Sequence, residues 1–187
     1  MTYLKRKRIG LTNYKKRLSL VSSKKHRLVV RRSLNHITAQ IVEYQNEGDI
    51  IITSANTKEL AKYGWKCSTK NIPSSYLTGL LIGKKAAKKN IKDPILDIGL
   101  QRPIKKGVLY ALLKGAIDSG LNINHDKKIL PEESRIKGEH IANFTKLDKV
   151  SSFQFSKYKK NNSDPKQITE NFNQTKENIV KNAWRNC

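Results

Sequence analysis

Apolar and polar positions alternate most clearly between His26 and Tyr44. Leu28, Val29 and Val30 are followed, after Ser33-Leu34-Asn35-His36, by Ile37, Ala39 and Ile41 at every second residue. A period of two is that of a strand with one buried face. Asn35 tolerates the left-handed backbone that a tight turn needs, so the two runs read as a hairpin. A third run, Ile50 to Ser54, follows the turn-like Gln45-Asn46-Glu47-Gly48-Asp49 and completes an antiparallel meander. Ile37, Ala39 and Ile41 belong to the core. Thr38 and Gln40 point to the opposite face, which is expected to stay open for polar contacts.

Beyond the meander the period lengthens. Asn56-Thr57-Lys58-Glu59 has the spacing of a capping box and predicts a short helix ending at Gly64. Trp65 to Asn71 reads as a polar loop around a buried indole. Ser74 or Ser75 is placed as the cap of a longer helix running to about Asn90. Its stripe is Tyr76, Leu77, Leu80, Leu81 and Ala87, and Lys84, Lys85, Lys88 and Lys89 gather where the helix dipole favours cations. Gly79-Leu80-Leu81-Ile82-Gly83-Lys84 fails as a phosphate loop, because the glycines are one residue too close and Lys85 stands where a hydroxyl is required. Close helix packing is the better use of those glycines. Ile95 to Leu100 reads as a buried strand and Gln101 to Gly107 as a basic turn. Val108, Leu109, Leu112, Leu113, Ala116 and Ile117 then mark a helix stopped by Gly120.

The predicted class is α/β: a mixed sheet built from an antiparallel three-stranded meander plus a parallel fourth strand, with helices packed on it and basic N- and C-terminal extensions. The chain divides into a basic arm (1–26), a body (27–121), a closing segment (122–144) and a C-terminal extension (145–187). Within the extension, Gln167 to Trp184 carries Ile168, Phe172, Ile179, Val180 and Trp184. They suggest an amphipathic helix that docks on RNA or a neighbouring protein, with a disordered tail as the alternative.

Charge turns this outline toward a polyanion partner. The 187 residues hold 38 Lys and Arg against 15 Asp and Glu, a net charge of +23 and a pI near 10.1. Twelve of the cations, and no acid, lie in residues 1–42. Basic clusters at Lys5–Arg8, Lys15–Arg17 and Lys24–Arg27 are interleaved with Tyr3 and Tyr14, and a short helix fits around Asn13 to Val21. An arm that orders on RNA is expected in preference to a solvated tail or a nuclear import signal. On the polar side of the meander Arg27, Arg31, Arg32, Ser33, Asn35, His36, Thr38 and Gln40 form a cluster suited to base edges, 2′-hydroxyls and phosphates.

Other chemistries find little support. Histidines stand singly at 26, 36, 125 and 140, and no serine elbow is present. Asp93 and Asp97 are the one pair to weigh, as metal ligands of an RNA nuclease of ribonuclease H-like architecture. The competing reading makes Asp97 the partner of a buried arginine or amide and Asp93 a turn cap before Pro94. Cys67 and Cys187 suggest reduced thiols rather than a disulfide or zinc site. No catalytic residue, metal or cofactor is expected. No apolar run approaches the roughly 20 residues of a membrane span, and the N-terminus lacks the apolar core of a secretory signal. A soluble, intracellular chain without a membrane partner is therefore expected.

Arg27 to Ile41, together with Gly79-Leu80-Leu81-Ile82-Gly83, Ile95-Leu96-Asp97-Ile98-Gly99-Leu100 and Leu113-Lys114-Gly115-Ala116-Ile117-Asp118-Ser119-Gly120-Leu121-Asn122, resembles the large-subunit ribosomal protein eighteen family in its archaeal and eukaryotic form. The resemblance runs in order over roughly residues 3–144. It implies a cytoplasmic, ribosome-bound, non-enzymatic protein that binds 5S ribosomal RNA at the central protuberance, beside large-subunit ribosomal RNA and neighbouring ribosomal proteins. It also implies RNA contact at Lys5, Arg6, Arg8, Tyr14, Lys15, Lys16, Arg17, Arg31, Ser33, Asn35 and His36. The turn Pro103-Ile104-Lys105-Lys106-Gly107 is more basic than the family's and leaves open whether it touches RNA or only caps the following helix. Nothing is carried over to the chain beyond Phe144.

Overall fold

Strands β1 (Arg27–Arg32), β2 (Ile37–Gln45) and β3 (Gly48–Asn56) form the expected meander in a computed structural model that describes residues 4–146, 155, 158, 161 and 163–182. β4 (Ile95–Asp97) joins β1 in parallel, giving the order β3-β2-β1-β4. Leu28 lies opposite Ile41 and Val30 opposite Ala39, and these four side chains, with Ile37, are fully buried on one face. The alternation therefore assigns the core face correctly. β4 is shorter than the Ile95 to Leu100 expectation because Gly99 turns the chain at φ +63°, where a Cβ would press on Arg31 Cζ at 2.9 Å.

Seven α-helices accompany the sheet: α1 (Lys5–Arg8), α2 (Tyr14–Ser22), α3 (Ile72–Lys88), α4 (Val108–Asp118), α5 (Glu133–Lys137), α6 (Glu139–Phe144) and α7 (Ile168–Asn182) among the described residues. Between β3 and α3, Thr57–Tyr63 is a 3-10 helix. It carries the predicted capping box, with Glu59 Oε1 accepting from Asn56 N at 3.0 Å, and ends at Gly64 with φ +92°.

Helix α3 begins earlier than Ser74. Asn71 is the cap, its Oδ1 accepting from Ser74 N at 2.9 Å, and Pro73 fits the first turn. Ser74 and Ser75 are instead buried, and Ser75 Oγ donates to Val108 O at 2.6 Å across to α4. The stripe also shifts by one residue, since Ala86 is buried and Ala87 exposed. Helices α3 and α4 cross so closely that a Cβ at Gly79 would collide with Leu112 O, and one at Gly115 with Tyr76 O. The glycines are thus packing residues, as their failed phosphate-loop spacing suggested.

In the C-terminal extension the helix forms as expected, but α7 packs its apolar face on this chain's own body. Ile168, Phe172, Thr175 and Ile179 form its buried row, with the Phe172 ring 5.6 Å from that of Tyr76. Asn178 Nδ2 donates to Tyr63 O at 3.0 Å, and Asn171 lies against the buried Cys67 thiol. Trp184 and Cys187 lie outside the described residues.

Two outcomes test this packing. Gly115→Ala should lower stability by about 1–3 kcal/mol or more, because the added methyl has backbone in its way; an unchanged urea midpoint would refute the close crossing. Burial pushes the Cys67 thiol up to about 11. Deleting residues 164–187 should expose it, let the pKa fall toward 9.0 and raise its thiolate fraction at neutral pH roughly a hundredfold. Alkylation timed by mass spectrometry reads this directly, and an unaltered rate would contradict the docking of α7.

Candidate nucleic-acid interface

Residues before β1 reach the sheet's second face through α2. Asn13 caps this helix, its Oδ1 accepting from Lys16 N at 3.1 Å, which lets a segment dense in like charges hold a regular shape. Lys5, Arg6 and Arg8 on α1, and Lys15 and Lys16 on α2, are exposed. Between α2 and the sheet lies a cleft of about 710 Å³, lined from the arm by Arg6, Asn13, Lys16 and Arg17 and from the sheet by Arg27, Val29, Arg31, Gln40 and Val42. The second face is therefore not open along its length, as the alternation alone suggested, but partly roofed by the arm.

An alternating ladder of charges fixes that arrangement. Val29 pairs with Asp97 in the β1–β4 register, so the carboxylate sits between Arg27 and Arg31 on the same face. Asp97 Oδ2 lies 3.2 Å from Arg27 Nη1, and Asp97 Oδ1 lies 3.2 Å from Arg31 Nη2 while accepting from Gly99 N at 2.8 Å. Arg31 Nη1 donates to Asp97 O and Val30 O, each at 2.8 Å. On the other side Arg27 Nη2 approaches Asp49 Oδ1 at 2.7 Å, and Asp49 Oδ2 receives Arg17 Nη2 from α2 at 3.1 Å. Arg27 is 3% exposed and Asp97 7%. Arg27 Nε and Nη2 are buried without hydrogen-bond geometry, so the approach to Asp49 is a charge contact and two carboxylates neutralise this guanidinium.

The remaining expected contact residues divide by how their polar groups are engaged. Ser33 Oγ donates to His36 O at 2.9 Å and accepts from His36 N at 3.0 Å, closing the β1–β2 turn. His36 Nδ1 lies 3.3 Å from Thr57 Oγ1, and Thr38 Oγ1 accepts from Asn56 Nδ2 at 2.8 Å. Arg6 Nε donates to Thr12 Oγ1 at 3.0 Å, and Tyr14 is half-buried. Asn35 is exposed at the turn, where its carbonyl accepts from Thr69 Oγ1 at 2.7 Å. Gln40 faces the cleft. Arg32 is exposed on the helix side of the sheet, away from Arg27 and Arg31. Arg27 is the clearest departure from the expected surface cluster, since burial and ion pairing withdraw it. Asp49 was hidden in what reads as a turn; it belongs to the start of β3, opposite Tyr44 of β2, and its carboxylate reaches Arg27 from there.

Asp97 takes the expected place as partner of a buried arginine, whereas Asp93 binds a side chain outside its own turn rather than capping it. Asp97 is engaged by two arginines and an amide, and Asp93 Oδ1 accepts from Asn122 Nδ2 at 2.8 Å. Among the described residues, no three His, Cys, Asp or Glu side chains gather where they could hold a metal ion. No described helix is long and apolar enough to cross a membrane.

Residues 1–95, just over half of the chain, match the family model described as ribosomal large subunit proteins 60S L5 and 50S L18. The match spans the arm, the whole ladder except Asp97, and all the expected contact residues.

Removing Asp97 from the ladder should leave the buried Arg27 with only one of its two carboxylates and Arg31 without its own. Asp97→Asn is expected to destabilise by about 3–5 kcal/mol. Asp93→Asn, at an exposed position, should change stability by no more than about 0.5 kcal/mol. Equal losses in urea denaturation at the two positions would contradict this assignment.

Proposed function

This chain belongs to the family of large-subunit ribosomal proteins that comprises 60S L5 and 50S L18, and from that premise we propose that it binds 5S ribosomal RNA and anchors it to large-subunit ribosomal RNA at the central protuberance. The observation that carries this reading is the acid-free arm, whose exposed cations are presented on short helices and moored to the sheet by Arg17. Neighbouring ribosomal proteins complete its surroundings.

Binding has two parts. Lys5, Arg6, Arg8, Lys15 and Lys16 replace counterions on phosphates. With 6 to 10 such contacts, affinity falls by about 10³ to 10⁵ between 50 and 200 mM salt. Such contacts position an RNA but do not select it. Selection falls to the β1–β2 turn and the cleft beside it, where Ser33, Asn35, His36, Thr38 and Gln40 meet bases or 2′-hydroxyls. Arg31 lines that cleft, and Tyr14 sits half-buried on α2. Arg17 and Arg27 serve chiefly by holding arm and sheet together, so their contribution to RNA binding is one of positioning. Arg32 lies on the other side.

Lys15→Ala with Lys16→Ala should weaken binding to 5S ribosomal RNA and to an unrelated structured RNA alike, lowering the salt slope by about 2. Asn35→Ala with His36→Ala should leave the slope in place and erode the preference between the two RNAs. Filter binding across a salt series separates the outcomes, and equal losses on both RNAs from both variants would refute this division.

A further inference from the structure

A second basic surface lies across the sheet from the arm, and we propose that the groove lined by Arg32, Arg102, Lys105, Lys106 and Arg135 is a separate binding site for the phosphodiester backbone of RNA. The groove encloses about 530 Å³ between the end of β1, the Gln101–Gly107 turn and α5. Apart from Arg32 and the flanking Ile72, its lining residues fall outside the part of the chain that matches the family. It rests on this chain's being an RNA-binding ribosomal protein but not on 5S ribosomal RNA being the target.

The charge balance carries the inference. Among the described residues, the pair of Lys106 with Glu132 is the one ion pair that any of these five cations makes, and that hydrogen bond holds the Glu132 carboxyl below its usual value. Arg32, Arg102 and Lys105 make no side-chain hydrogen bond or ion pair with another described residue, and all three are exposed. Like charges gathered in a concavity repel unless an anion neutralises them, which separates this site from a convex solvated face. The turn is also held in shape. Lys106 takes φ +56°, where a lysine is strained, and its amide donates to Ile129 O at 2.8 Å. Helix α4 opens beside the groove with Gly107 as its cap and no capping side chain, which adds a positive end to the same potential. Strand alternation directs Arg32 here rather than toward the arm, and Gln101 borders both this groove and the arm's cleft. One protein can thus hold RNA backbone on both sides of its β4 edge.

The test uses the full chain and a mixed-sequence RNA duplex of about 20 base pairs, a length that covers a shape-reading RNA site. Arg102→Ala with Lys105→Ala removes two cations that have no partner to lose, so the unfolding midpoint should not move. The salt slope should fall by about 2, both in the otherwise unaltered protein and with Lys15→Ala and Lys16→Ala already present. Lys58→Ala with Lys62→Ala, exposed cations on the 3-10 helix, should leave the slope unchanged. An unaltered slope in the groove variant, an equal fall in the 3-10 helix variant, or preferential binding of polyglutamate over the duplex through the groove would each overturn the proposal. The 5S reading is judged separately by the Lys15 and Lys16 variant on its own RNA.

Discussion

The Arg27 guanidinium, held between Asp97 and Asp49 beneath the arm, is the constraint on which the rest of the interface depends. A buried arginine is tolerable only when its charge is answered. The answer comes from both edges of the sheet: Asp97 from β4 and Asp49 from the start of β3. Each carboxylate then binds a further arginine, Arg31 on one side and Arg17 on the other. The parallel strand, the meander and the basic arm are therefore joined through one line of charges. The opposite face of the sheet needs no such device, because Leu28, Val30, Ile37, Ala39 and Ile41 are buried in an apolar core on which α3 packs, with α4 crossed closely against α3.

This division between the faces explains how one small domain presents so much positive charge without losing its fold. Apolar packing, tightened at Gly79 and Gly115, supplies the body. The ladder neutralises the arginines nearest that body, while lysines and arginines farther out remain in solvent. A guanidinium suits the ladder because its planar fork reaches carboxylate and carbonyl oxygens together, as Arg31 does. The ladder orders the arm's root and leaves its outer cations available for a polyanion.

The meander was legible because its buried positions recur at every second residue, and α4 because its two apolar rows are unbroken. The start of α3 was not, since buried Ser74 and Ser75 look like caps and only tertiary packing shows that they face α4. β4 stops early because of the left-handed Gly99, which leaves no mark on hydrophobic period. The docking of α7 was faint because Thr175 occupies the middle of its buried row. At the interface, alternation placed Arg27 and Arg31 on one face but said nothing of the distant carboxylates that would engage them. Charge counting singled out the arm as an acid-free basic stretch. It could not distinguish the moored Arg17 from the exposed Lys15 and Lys16.

The central claim is that this scaffold selects one RNA rather than attracting all of them. Competition binding at near-physiological salt, between 5S ribosomal RNA and an unrelated structured RNA of equal length, tests it most directly. The account predicts a preference of at least about 10³ for 5S ribosomal RNA, within the range that specific nucleic-acid binders reach. A ratio near one would contradict it and reduce the chain to a general polyanion binder.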